Sequence, residues 1–147
     1  MRSLIENQKK IQNTSSSKTI DEPKKLQPLK ENQKDWDRNP RIAKEALKDA
    51  SYKCELNANH FTFTTKKKVP YMEAHHLIPM EFQENLNYSL DVKSNLISLC
   101  PNCHRKLHNA IMDQKKDLLI LLYNNRINRL KKCNLDININ QLLSYYD

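Results

Sequence analysis

The sequence predicts a small α+β chain: a ββα unit of two short strands and a following helix, braced at a cysteine knuckle and flanked by helices on its N- and C-terminal sides. Three observations lead there. Two β-like stretches, residues 69–78 and Leu96–Leu99, precede a run that opens at Pro101 and places Leu107 and Ile111 at helical distance. The knuckle Cys100-Pro101-Asn102-Cys103 sits where the second strand meets that helix. Apolar residues recur at helical spacing before the unit, at Ile42, Ala43, Ala46, Leu47 and Ala50, and after it, at Leu118, Leu119, Leu121, Leu122, Ile127 and Leu130.

The first helix starts at Pro40, a residue suited to a first turn. Residues 53–68 show no period and end in Lys66-Lys67-Lys68, which reads as a loop feeding the first strand. A long amphipathic helix is expected over 117–130, and a short one within 137–146 carrying Leu142, Leu143 and Tyr146. Residues 1–34, with Thr14-Ser15-Ser16-Ser17, two prolines and scattered Lys and Gln, sustain neither period and read as a disordered or weakly structured basic leader. The expected organisation is therefore this leader, a central unit over 35–112, and a C-terminal helical extension over 113–147 that packs on it.

With 147 residues there is room for one domain and its extensions. Only 38% of residues are hydrophobic and mean hydropathy is -0.83, so the apolar core is expected to be small and to lean on a metal staple. Twenty-five Lys and Arg against 17 Asp and Glu give a net charge of +8, a balance that favours a polyanionic partner. The leader holds eight Lys/Arg and four Asp/Glu, so +4 of that +8 lies outside the central unit. No stretch is apolar enough to span a bilayer, and residues 1–10 lack the apolar run of a secretory signal; the cytoplasm is the expected compartment, where disulfides are not. With no glycine in the chain, tight turns are expected to fall to Asn, Asp and Pro.

A C-x2-C turn lets two thiolates converge on one ion and leaves room for two more ligands, with zinc the expected metal. Cys54 and His60, a C-x5-H pair, are the best candidates for the other half; a three-ligand site is the alternative. No βαβ pattern surrounds the knuckle, which disfavours a redox role. Cys133, isolated after the long helix, is read as a packed hydrophobe.

A lone histidine is most often a surface residue, but four of the five lie within the 34 residues from His75 to His108, interleaved with the knuckle. His104 and His108 are one helical turn apart and share a face that can offer two imidazoles to one ion. Neighbours on a strand point to opposite sides, so His75 can join that ion while His76 points elsewhere, free to accept a proton.

The stretches Tyr71-Met72-Glu73-Ala74-His75-His76-Leu77-Ile78-Pro79, Asp91-Val92, Asn95-Leu96 and Leu99-Cys100-Pro101-Asn102-Cys103-His104-Arg105-Lys106-Leu107-His108 together resemble the HNH endonucleases of ββα-metal fold, in the branch with a zinc-binding cysteine frame and restriction-type members. The resemblance covers residues 52–108. It implies a metal-dependent DNA endonuclease in which His76 is the general base and His75, His104 and His108 hold a catalytic divalent ion (Mg2+, Mn2+, Ni2+ or Zn2+). Cys54, His60, Cys100 and Cys103 would hold the structural Zn2+. Asn95 would tie the intervening loop and so fix His76, and Glu73 would support the metal-binding histidines. Lys66, Lys67, Lys68, Arg105 and Lys106 are the candidate contacts to DNA, most simply double-stranded, and a homodimer is compatible with the long helix. Relatives in which Cys54 is part of a C-x2-C pair have cysteine where this chain has Asn57. The rival reading is a zinc-dependent nucleic-acid binding module that has lost catalysis; retention of His75, His76 and His104 together speaks against it.

Overall fold

The computed structural model describes residues 20–147. Helix α1 (Pro40–Asp49) begins where Pro40 suggests, and the Asn39 side chain accepts the Arg41 amide at 3.0 Å as its N-cap. Strands β1 (Glu73–His76) and β2 (Leu96–Leu99) pair antiparallel, with Glu73 opposite Leu99 and His76 opposite Leu96. Helix α2 (Pro101–Asn109) follows β2 directly. Helices α3 (Met112–Lys132) and α4 (Ile139–Ser144) complete the chain. This is the expected α+β unit with flanking helices.

Two boundaries moved, each for a tertiary reason. The first strand is confined to four residues because 69–71 pair elsewhere: the Tyr71 amide donates to the Phe63 carbonyl at 2.9 Å and the Thr65 amide to the Val69 carbonyl at 2.8 Å. Helix α3 starts at Met112, not 117, because the turn before 117 is held by Lys115. That ammonium is buried and donates to the Leu107 carbonyl at 3.1 Å, capping the end of α2. Its charge hid it from any apolar period. Helix α4 starts within the expected stretch at Ile139, where Asn138 folds its Oδ1 back on the Gln141 amide at 2.8 Å, but it ends at Ser144, so Tyr146 lies beyond it.

The absence of glycine falls partly on unexpected residues. Asn32 and Asn134 adopt positive φ, but so do Ser51, Tyr52 and Lys68. Ser51 and Tyr52 close the end of α1, the Tyr52 amide donating to the Leu47 carbonyl at 3.0 Å. That reversal carries the chain to Cys54.

Residues 20–34, assigned from sequence to the leader, lie against the unit. Asp21 takes two hydrogen bonds from the Arg129 guanidinium at 2.8 and 3.1 Å, and the Ser89 amide donates to the Lys24 carbonyl at 2.9 Å. A charge pair more than a hundred residues apart in sequence leaves no local period to read. The leader's first 19 residues lie outside the described ones.

The core joins Leu77, Ile97, Leu99, Leu107, Leu119 and Leu122 with the buried Cys54, Cys100 and Cys103. Each fully buried leucine stabilises the fold by about 1.5–3 kcal/mol relative to exposure. Cys133 is buried as expected, its sulfur accepting from Ser94 Oγ at 3.0 Å. Among the described residues no helix is long and apolar enough to cross a membrane.

The buried Arg126 clamps α3 to the unit. Its guanidinium donates to the Lys93 and Ser94 carbonyls at 3.0 Å each and to Glu55 Oε1 at 2.7 Å, while the Glu55 amide donates to the Ser98 carbonyl of β2. Arg126→Ala removes the hydrogen bonds to both carbonyls and to Glu55, and is expected to destabilise the fold by about 1–3 kcal/mol in urea unfolding; an unchanged midpoint would show that α3 docks without the clamp.

Candidate active site

Two groups of metal-ligating side chains converge on the ββα unit. The first is Cys54, His60, Cys100 and Cys103, whose ligand atoms all lie within 4.8 Å of one another. Cys100 caps α2, its sulfur accepting the Cys103 amide at 3.4 Å. His60 Nδ1 lies 3.3 Å from Cys103 Sγ and 3.6 Å from Cys100 Sγ. A tetrahedral site with zinc–ligand bonds of ~2.0 and ~2.3 Å has nitrogen–sulfur edges of about 3.6 Å. Asn57 makes the turn that brings His60 back: its Oδ1 accepts the Asn59 amide at 2.9 Å and its carbonyl the His60 amide at 3.0 Å.

The thiol energetics suit a cation. Burial raises the Cys54 thiol, but the Cys100, Asn57 and Leu56 amides and the His60 ring outweigh it and bring it down to about 7. Burial, then the neighbouring Cys100 and Cys54 sulfurs, push Cys103 up to about 12. One sulfur ionises readily and the next resists, so three thiolates together need a positive ion among them.

The second group is His75, His104 and His108, again with ligand atoms within 4.8 Å. The Nε2 atoms of His104 and His108 are 3.1 Å apart, and the His75 ring lies 5.1 and 4.8 Å from theirs, centroid to centroid. Burial, followed by the charges of His104, His108 and His76, holds His75 well below the usual imidazole value; burial, His104 and Lys115 also lower His108. Both therefore stay neutral at pH 7, the ligating form.

Protein groups behind these rings set their tautomers. Glu73 Oε1 accepts from His104 Nδ1 at 3.0 Å, leaving Nε2 its lone pair, and Glu73 Oε2 accepts from the Tyr71 hydroxyl at 2.7 Å. These bonds from Tyr71 and His104 keep the Glu73 carboxyl below its ordinary value. Burial keeps the Tyr146 hydroxyl protonated, and its single proton goes to the Leu77 carbonyl at 2.6 Å, a group that only accepts. The hydroxyl must then accept from His75 Nε2 at 2.6 Å, so the lone pair of His75 is on Nδ1.

His76, next along β1, is held separately. Its Nε2 lies 2.9 Å from Asp91 Oδ1, while Asp91 Oδ2 accepts the Asn39 amide at 2.6 Å. Burial works to raise Asp91, yet the bonds from His76 and Asn39 bring it below the ordinary carboxylate range. Such a group stabilises the fold above the usual carboxylate pKa, and that contribution is lost as pH falls through the lowered value. A cleft of about 300 Å³ is lined by His75, His76, His104 and His108 with Arg38 and Glu81 at its side.

Asn95 is fully buried. Its Oδ1 accepts the Ile78 amide at 2.8 Å, and its Nδ2 donates to the Ile78 and Leu90 carbonyls at 3.1 and 2.9 Å, so it shapes the loop and reaches no cleft. Arg105 is exposed in a depression next to the cleft, with Glu73, His104 and His108. Lys106 lines neither, and Lys66, Lys67 and Lys68 are exposed on the loop before β1.

Residues 59–110 match the HNH endonuclease family. The chain belongs to the HNH endonuclease family. The match takes in His60, both knuckle cysteines, the three clustered imidazoles, His76, Asp91 and Asn95, while Cys54 precedes it. Over 100 residues the chain is 36% identical to the type IV methyl-directed restriction enzyme EcoKMcrA of Escherichia coli (strain K12), an overlap covering 68% of this chain and 33% of that protein. This HNH chain thus spans about a third of that relative's length. Sequence reasoning missed the Asp91 contact, although Asp91 sits in the matching stretch, and missed Tyr146 and Arg38, which carry no local signal.

Tyr146→Phe removes the acceptor for His75 Nε2 and is expected to weaken binding of a divalent ion at the imidazole cluster by about 10- to 100-fold. Zinc content should be unchanged. Cys103→Ser should do the reverse, abolishing the tightly held zinc and the cooperative thermal transition with it. Titration calorimetry and metal analysis of the two variants separate the sites, and equal losses at both would show that they are not independent.

Proposed function

We propose that this chain is a metal-dependent endonuclease that hydrolyses phosphodiester bonds of double-stranded DNA in a restriction pathway of the cytoplasm. The observation that carries the reading is the placement of His76, backed by a buried carboxylate, beside three clustered imidazoles that can share one ion. The donor sets suit two different metals. Sulfur-rich Cys54, Cys100 and Cys103 with His60 suit a closed structural zinc; His75, His104 and His108 leave open positions for Mg2+, Mn2+, Ni2+ or Zn2+.

His76 Nε2 donates to Asp91, which leaves Nδ1 with a lone pair to take a proton from water. The resulting hydroxide attacks phosphorus, the bond to the 3'-oxygen breaks, that oxygen takes a proton from water to leave as the 3'-hydroxyl, and a 5'-phosphate remains. Asp91, ionised because its pKa is depressed, stabilises the imidazolium that forms. A divalent ion bound by the cluster supplies charge neutralisation at the phosphate and at the departing oxygen. Arg38, on the wall of the cleft, and Arg105 beside it can bind flanking phosphates. The restriction role draws on EcoKMcrA, whose name describes methyl-directed restriction.

His76→Ala is expected to slow plasmid cleavage by about 10²- to 10⁴-fold without loss of zinc or of the fold. Asp91→Asn should give a smaller loss, because it keeps the ring in place but removes the charge that supports the imidazolium. The assay compares methylated and unmodified plasmid under each metal. Full activity of His76→Ala would remove His76 as the base, and wild-type protein inert under every metal would remove the reading itself.

A further inference from the structure

Beside the imidazole cluster, residues 61–71 form an arm of which only Tyr71 has a part in the chemistry above. The chain runs out through Phe63 and returns through Tyr71 as a narrow antiparallel ribbon. Besides the two backbone bonds already described, Thr62 Oγ1 donates to the Tyr71 carbonyl at 2.6 Å. Its turn closes through Lys68 at φ 65°, the Lys68 amide donating to the Thr65 carbonyl at 2.8 Å, and presents Lys66, Lys67 and Lys68 to solvent.

Two aromatic rings lie open on this ribbon. Phe63 stacks on Tyr71, centroids 4.8 Å apart and planes 17° from parallel, yet 64% of its surface stays exposed; Phe61 is 93% exposed. Between Glu55 and Glu73 there is no acidic residue. The stack is also tied to the metal site, because the Tyr71 hydroxyl bonds Glu73, which bonds His104.

We infer that this ribbon is a base-stacking arm: the open face of Phe63, with Phe61, takes an unstacked nucleobase near the scissile phosphate while Lys66, Lys67 and Lys68 hold the phosphates beside it. The inference rests on the nuclease reading and adds how the strand is gripped. Exposed rings with a free face accept any base, and lysines next to them neutralise the backbone. A second copy of the chain is the poorer occupant, since two such lysine clusters brought together repel. A base inside a perfect duplex has both faces covered, so on the proposed double-stranded substrate the arm takes a base drawn out of the stack, and it binds single strands, mismatches and nicks more tightly than fully paired DNA.

The test is fluorescence anisotropy of the zinc-loaded full chain, without added divalent ion, on labelled single-stranded, mismatched and fully paired oligonucleotides across a salt series. Phe61→Ala and Phe63→Ala are each expected to weaken binding to the single strand by about 5- to 150-fold, the range for loss of one stacked base. Phe63→Trp should retain binding, a rescue that a purely structural role in the ribbon would not give. Replacing the three lysines by alanine should flatten the salt dependence while leaving the preference for unpaired bases. Wild-type protein that binds no oligonucleotide would overturn the nuclease reading and the arm with it. Wild-type binding that both phenylalanine variants keep in full would overturn the arm alone, as would a change in oligomeric state on Phe61→Ala with DNA affinity untouched.

Discussion

Pairing His75 with Ile97 and His76 with Leu96 decides which imidazole meets the metal-binding helix and which meets Asp91. Side chains alternate along a strand, so a slip of one residue would exchange the two rings and separate both from their partners. Four-residue strands hold a register weakly, and here it is held from outside the sheet. Asn95 binds the backbone just past β1, Glu55 binds Ser98 in the middle of β2, and the cysteine knuckle anchors the end of β2 to α2. The zinc-type site therefore stabilises a small core and also keeps the strand ends where the chemistry needs them.

Around that register, three hydrogen-bond relays set the rings. Tyr71 to Glu73 to His104, Leu77 to Tyr146 to His75, and Asn39 to Asp91 to His76 each engage one ring nitrogen and leave the other free. The relays differ in charge as their tasks differ. A neutral hydroxyl behind the buried His75 favours an uncharged ring, the form a ligand needs, whereas an ionised carboxylate behind His76 favours a positive ring, the form the proposed base would take. Burial and partner thus distinguish two adjacent histidines of one sequence, which the proposed mechanism uses as a ligand and a base.

The C-terminal extension belongs to the same machinery. Helix α3 brings Arg126 to Glu55 and Lys115 to the end of α2, and the turn after α4 delivers Tyr146. A substitution far from the HNH motif in sequence can thus act on the tautomer of His75.

The sequence by itself determined what local spacing can express. Cys100 and Cys103 converge because two residues separate them, His104 and His108 share a face because four do, and His75 and His76 diverge because they are neighbours on a strand. The ββα order and the two donor groups follow from those intervals. The C-x5-H interval from Cys54 points to His60 but leaves a three-ligand site open, and in the fold a turn at Asn57 brings that ring to the sulfurs; tertiary structure alone decided the partners of His75 and His76, which lie 71 and 15 residues away. It also decided the place of residues 20–34, bound through Asp21 to an arginine 108 residues on. Contacts over such separations repeat with no period; they exist only once the core has closed and made burial, charge and hydrogen bonding act across the chain.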